Sequence, residues 1–330
     1  MHRRSLLQFS LVALAAPSIA TGRARAQETP FKVTYFDIPA IKGSRDVTAA
    51  GGGRIWVNGQ RNGTLGLFDP ADGSLKVIPL GEGAAPHGVI TDAEGAAWIT
   101  EGGQNAIGRV DPVSLKVDLF RLPVARANAN LNTAVFDMTG VLWFTGQNGI
   151  YGRFEPKTGR MDVFDAPRGR GPYGMTHTPS GQIWFASLAG NYIGRIDTAT
   201  TAVEVVEPPT ANQGARRVWA DSRNHVWVSE WNSGNVSAYD TAAKSWRTWK
   251  LPGERPRTYS VYVDDRDKVW LTDFAANAIV RFDPATESFV SFPSDRPGAN
   301  VRQMDGRPGE AWGGESGQSR LVRIQTRTTG

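Results

Sequence analysis

Four histidines and no cysteine limit the chemistry open to this 330-residue chain. Without thiols there can be no disulfide, no thiolate nucleophile and no Cys-ligated metal. Such a composition suits an oxidising compartment, where a free thiol is a liability. His87, within Pro86-His87-Gly88, is the histidine placed to serve as a general base near neutral pH. Glu101 and Glu315 can hold a hard cation such as Mg²⁺ through oxygen ligands. The candidate catalytic set is therefore His87, Glu101 and Glu315, with Glu315 as metal ligand. Arg45, Arg216 and Arg302 offer planar forks for bidentate acceptors. Asn132, Tyr173, Tyr259, Glu230 and Asp273 complete a candidate ligand-binding ring, and Trp231 and Phe274 can supply aromatic walls. The ligand expected is a small or peptide-like molecule with carbonyl, carboxylate or hydroxyl groups. In the bland alternative the Arg and Glu side chains pair with one another and lock the scaffold.

These residues are far apart in sequence and meet only if the chain is a closed array of repeats. Tryptophans recur at Trp56, Trp98, Trp143, Trp184, Trp227, Trp270 and Trp312, roughly every 43 residues. Around each lie short β-rich runs bounded by Gly, Pro, Asp or Asn, and no stretch keeps an apolar period of 3.6. The pattern predicts an all-β, seven-bladed β-propeller of four-stranded blades, A to D from the channel outward, over residues 27–330. Asp92-Ala93-Glu94-Gly95, Asp137-Met138-Thr139-Gly140 and Thr178-Pro179-Ser180-Gly181 read as A–B turns, with Gly supplying the positive φ. Phe31–Pro39 reads as a strand D without its own A–C. The last repeat ends without a D, so the N-terminal strand is expected to close the ring.

Aligned on the Trp, the starts of the seven A strands are Arg45, His87, Asn132, Tyr173, Arg216, Tyr259 and Arg302. The ends of the B strands are Gly59, Glu101, Gly146, Ser187, Glu230, Asp273 and Glu315. Both sets are expected to converge on one channel mouth. The first holds no aliphatic residue, as a surface that meets water or a ligand would. His177 and His225 read as structural or exposed. Asn105, Asn191, Asn235 and Asn277 read as turn residues, and Gly108-Arg109, Gly152-Arg153 and Gly194-Arg195 as packing features of strand C. No phosphate-binding loop, serine-hydrolase elbow or HExxH motif is present.

Residues 1–26 read as an export signal. Arg3-Arg4 precedes an apolar run, and Ala24-Arg25-Ala26 fits a cleavage site. The arginine pair points to twin-arginine export and a periplasmic or secreted protein. The segment carries four Arg and no acid, so the formal charge of +5 falls to about +1 without it. No basic stripe argues for nucleic acid, no apolar run is long enough to span a membrane, and a monomer is expected.

The repeat Pro-x-Gly-Ile/Val…Asp-x-x-Gly-x-x-Trp-Phe/Ile-Thr-Glu…Asn-x-Ile-Gly-Arg-Ile/Val-Asp, clearest over Pro86–Pro112 and Pro172–Asp197, resembles the virginiamycin B lyase family. The resemblance implies a seven-bladed propeller and Mg²⁺-dependent opening of a cyclic depsipeptide by elimination across its ester. It also implies a histidine base and a metal-holding Glu in the last two blades. Glu315 fits that pattern, whereas Tyr259 and Arg302 stand at the two histidine positions and Asn300 at a second Glu position. A ligand-binding or scaffold propeller without chemistry is the alternative. A lactone or ester hydrolase is a further one, against which the seven repeats argue.

Overall fold

In most blades the turn between strands A and B is one that the sequence spells out. In Asp92–Gly95 the Gly95 N–H donates to the Asp92 carbonyl at 3.0 Å, and Gly95 adopts φ 85°. One Asp92 carboxylate oxygen accepts the Glu94 and Ala96 N–H groups, and the other accepts the indole N–H of Trp98 at 2.7 Å. Asp137, Asp221 and Asp264 hold Trp143, Trp227 and Trp270 in the same way. Gln182 and Glu310 do so for Trp184 and Trp312. The repeated Asp and Trp are thus one device: a turn that caps itself and satisfies the one polar atom of a buried indole. All seven Trp are at most 4% exposed. Each packs toward the next blade, as Trp98 does on Leu131, Leu142 and Phe144.

The computed structural model describes residues 31–326 as seven four-stranded antiparallel sheets, with no α-helix among the described residues. The export-signal expectation lies outside the described residues. Strand A of blades 1 to 7 is β2 (Ser44–Ala49), β6 (Pro86–Thr91), β10 (Leu131–Phe136), β14 (Pro172–His177), β18 (Ala215–Ala220), β22 (Thr258–Val263) and β26 (Val301–Arg307). Strands B and C of blade 7 are β27 (Glu310–Glu315) and β28 (Arg320–Thr326). Its fourth strand is β1 (Phe31–Asp37), paired with β28 from Phe31↔Thr326 to Asp37↔Arg320. The ring closes as the sequence predicts. Phe36 stacks on Trp312 at 5.6 Å and meets Phe68 of blade 1, so the closing strand also ties the last blade to the first.

The Gly-Arg pair of strand C is a packing device. A Cβ on Gly152 would lie 2.3 Å from the Phe144 ring, and one on Gly194 2.6 Å from Phe185. Arg109 and Arg153 then lie over Trp98 and Trp143. Asn105, Asn191 and Asn277 take the left-handed conformation expected of turn residues, with φ 51–55°. Their side chains accept backbone N–H groups of the next blade. Asn235 differs: it starts a strand and donates to Glu230 and Thr210.

Candidate functional site

Every A–B strand pair slips register near the start of strand A, for example between Ser44 and Val47 and between Thr258 and Val261. A bulge bends the strand and re-aims a side chain. In all seven blades the slip spans the residue expected at the mouth: Arg45, His87, Asn132, Tyr173, Arg216, Tyr259 or Arg302. Strand B of each preceding blade fixes several of these positions. Asn58, Thr100, Thr145 and Ser229 donate to the backbone carbonyls of His87, Asn132, Tyr173 and Tyr259. Gly88 and Gly174 allow the close approach: a Cβ on Gly174 would lie 2.5 Å from the Arg217 Cα.

The ring residues meet as a packed cluster. The hydroxyls of Tyr173 and Tyr259 are 2.7 Å apart. Arg45 donates through one Nη to both phenols, at 3.1 and 3.2 Å, and through the other to Gln60 at 2.7 Å. Arg216 donates to Tyr173 at 3.0 Å and lies over the Tyr259 ring at 3.9 Å, with Trp231 at 4.6 Å. Arg302 donates to Tyr259 at 3.3 Å and to Ser316. Phe274 stacks face to face on Tyr259 at 4.7 Å. Trp231 and Phe274 both pack against Tyr259. Tyr259 and Tyr173 are buried, whereas Arg216 and Arg302 are only partly so. The arginines bond to phenols and hydroxyls here, not to the carboxylates of the bland alternative.

His87 accepts or shares a hydrogen bond from the Asn132 amide at Nε2, 3.1 Å away, and packs edge-on against Tyr173. Its Nδ1 is buried without a partner among the described residues. Burial, and then the charges of Arg45, Arg217, Arg302 and Arg216, hold its pKa well below the ordinary histidine value. It is therefore a neutral imidazole. Burial opposes ionisation of Tyr259, but Arg45, Arg216, Arg217 and Arg302 together outweigh it and bring the phenol from 10.0 down to about 6.

The strand B carboxylates do not join this cluster. The β-ladder places Glu101 opposite Pro86, and Glu315 opposite Val301, each on the far side of the bulge from the ring residue. Glu101 accepts the Ala85 and Gly103 N–H groups through one oxygen; burial raises its pKa and these amides oppose the rise. Glu230 accepts from Ser233, Asn235 and Ser237, and Asp273 from the Arg257 and Ala275 N–H groups. These three side chains staple their own loops. His177 is exposed at the far end of β14, and His225 bonds Asp221 at 2.9 Å.

Glu315 does not fit the magnesium that the resemblance implies. One of its oxygens receives Arg320 Nε at 2.6 Å and the other receives Ser294 Oγ at 2.8 Å. A hard cation needs several free oxygens, and among the described residues no group of three or more His, Asp or Glu side chains is placed to share an ion.

Two central residues escaped the sequence reading. Arg217 and Asp46 lie one step deeper along strand A and form a buried ion pair at 3.1 Å. Arg217 also donates to Thr133 at 2.7 Å and packs against Tyr173. Burial raises the pKa of Asp46 although Arg217 and Arg45 oppose the rise. The signal was the doubly charged pair at one offset in two blades, Arg45-Asp46 and Arg216-Arg217. The bulge makes both members of such a doublet face the channel.

The fold is similar to that of virginiamycin B lyase from Staphylococcus aureus, with a TM-score of 0.82 at 20% identity over 89% of this chain and 99% of that one. A streptogramin B lyase structure gives 0.82 at 20% over 89% and 97%. Similarity extends to a structure described as YCF48 bound to D1 peptide, at 0.72 and 14% over 92% and 98%. At these identities the likeness concerns the fold. No curated protein matches the chain significantly. The profile of the virginiamycin B lyase family matches residues 18–257, ending before Tyr259, Arg302 and Glu315. The chain belongs to the virginiamycin B lyase family.

Proposed function

We propose that the channel mouth binds an anionic organic ligand, a carboxylate or a carbonyl-rich peptide-like molecule. The observation that carries the reading is the surplus of positive charge. Four guanidiniums converge on two phenols, and Asp46 is the one carboxylate paired within the cluster. The Nε atoms of Arg45 and Arg216 are buried without partners among the described residues. Unpaired buried donors are costly, and a ligand oxygen placed among them removes that cost. Arg216 and Arg302, the partly exposed members, are the first to meet it, with Trp231 and Phe274 packing on its apolar part. The test is calorimetric titration with citrate and with phenylacetate at low ionic strength. Saturable binding that falls at least about tenfold in Arg216→Gln supports the reading; unchanged binding in that variant refutes it.

A second reading is favoured by the ionisation of Tyr259. It stands where the family resemblance places a histidine, and a phenolate with a pKa of about 6 is a competent base at neutral pH. It would take a proton beside a carbonyl while the guanidiniums hold the developing oxyanion and the ester oxygen leaves as a carboxylate. The relatives' names make a streptogramin B depsipeptide the substrate to try. Elimination gives a product of unchanged mass and new retention time, whereas hydrolysis adds one water. Export through the twin-arginine route, to the periplasm or beyond, rests on residues 1–26 and is tested by whether Arg3→Lys/Arg4→Lys blocks it.

A further inference from the structure

A cavity lies at the other end of the channel. The Asp46–Arg217 pair and Thr133 form its floor, separating it from the arginine–tyrosine cluster. Its volume is about 510 Å³, in the range of small-molecule sites. The walls are the downstream halves of the A strands and are mostly apolar, with Ile90, Phe136 and Met175 among them. Charge in this chamber is opposite in sign to that of the mouth. Asp46 is neutralised by Arg217, and Asp221 is held by His225 and Arg223. Asp305 has no ion-pair partner among the described residues. Its donors are neutral groups, the Thr48 hydroxyl at 2.7 Å, the Gly306 N–H at 2.8 Å and the Ala49 N–H; burial raises its pKa and these three oppose the rise. Tyr262 links it to Trp219, another lining residue. The Tyr262 ring meets Trp219 edge-on at 5.1 Å, and the negative charge of Asp305 adds to burial in raising the pKa of its phenol.

A lone carboxylate, an aromatic ring and aliphatic walls around one half-open cavity are the elements that recognise an organic ammonium. We propose that this chamber is a second ligand site, which takes a primary or secondary amine carrying an apolar body. The ammonium pairs with Asp305 and meets the ring face of Trp219, and the apolar body fills the space between Ile90, Phe136 and Met175. The site is independent of the mouth, whose arginines repel such a ligand.

The test is titration of the full chain with phenethylamine and with its neutral analogue phenethyl alcohol, read by calorimetry. The amine is expected to bind with one-to-one stoichiometry and the alcohol at least about tenfold more weakly. Asp305→Asn is expected to abolish that preference, and Ala220→Phe, at a partly exposed lining position, to abolish binding of both. Arg216→Gln at the mouth is expected to leave amine binding unchanged, so failure of the mouth reading and failure of this one are separable. Equal affinity for amine and alcohol overturns the proposal, as does undiminished amine binding in Asp305→Asn. If Asp305→Asn does not fold, Ala220→Phe alone decides: amine binding that survives it overturns the proposal.

Discussion

At neutral pH one of the seven tyrosines should already be a phenolate. The magnitude follows from the geometry of Tyr259. Its hydroxyl accepts from Arg45 at 3.2 Å and Arg302 at 3.3 Å, Tyr173 lies 2.7 Å away, and Arg216 covers the ring at 3.9 Å. At an effective dielectric of about 20, each unit charge near 4 Å contributes on the order of 4 kcal/mol. Two such guanidiniums offset a burial cost of several kcal/mol, and the remaining two produce a net shift. A fall from 10.0 to about 6 corresponds to roughly 5 kcal/mol in favour of the phenolate. The folded pKa lies below the unfolded one. The associated stability is therefore fully present above about pH 10 and is lost as pH falls through about 6. Between about pH 6 and pH 8, stability from this group should rise by about 2 kcal/mol. The assay is ultraviolet titration of the folded protein in the tyrosinate band. One phenol's worth of absorbance should appear between about pH 5 and pH 7. It should move up by at least about one pH unit in Arg45→Gln and vanish in Tyr173→Phe/Tyr259→Phe, a double variant that prevents the charge moving to the partner phenol. If no tyrosine ionises before about pH 9, the argument that the guanidiniums overcome burial is wrong, and with it the base role of Tyr259.

Other outcomes follow from the scaffold. Arg217→Met leaves Asp46 buried without its partner and should cost about 3–5 kcal/mol in denaturant unfolding; the double variant Asp46→Leu/Arg217→Met should recover much of that loss. Phe36→Ala removes the stack on Trp312 at the ring closure and should cost about 3 kcal/mol. Its unfolding should stay a single transition, because the closing strand joins blades 7 and 1. Gly152→Ala drives a methyl into the Phe144 ring and should lower stability by about 1–3 kcal/mol without changing ligand binding at the mouth.

The scaffold was legible because each blade repeats the same local instructions. Asp, Gly and Trp at fixed offsets write the A–B turn and its capped indole. An unpaired strand at Phe31–Asp37 facing a last repeat of three strands leaves one way to close the ring. The seven ring residues were also legible, since a polar residue at one offset in seven blades is foreign to a core. What they do was harder to read. The sequence suggested an open polar mouth in which strand B carboxylates face strand A arginines. The bulge in each blade sends the strand A side chain into the channel and leaves Glu101, Glu230 and Asp273 bonded to their own loops. A one-residue slip leaves no mark in composition or period. The same slip hid Arg217 and Asp46, and it leaves the open space of the channel at its opposite end.

The most direct test of the central claim is calorimetric titration of citrate into the native protein and into Arg216→Gln/Arg302→Gln at low salt. The account predicts saturable, salt-sensitive binding to the native protein and a loss of at least about tenfold in the variant. Equal binding by both proteins, or none by the native chain to either citrate or phenylacetate, would contradict it.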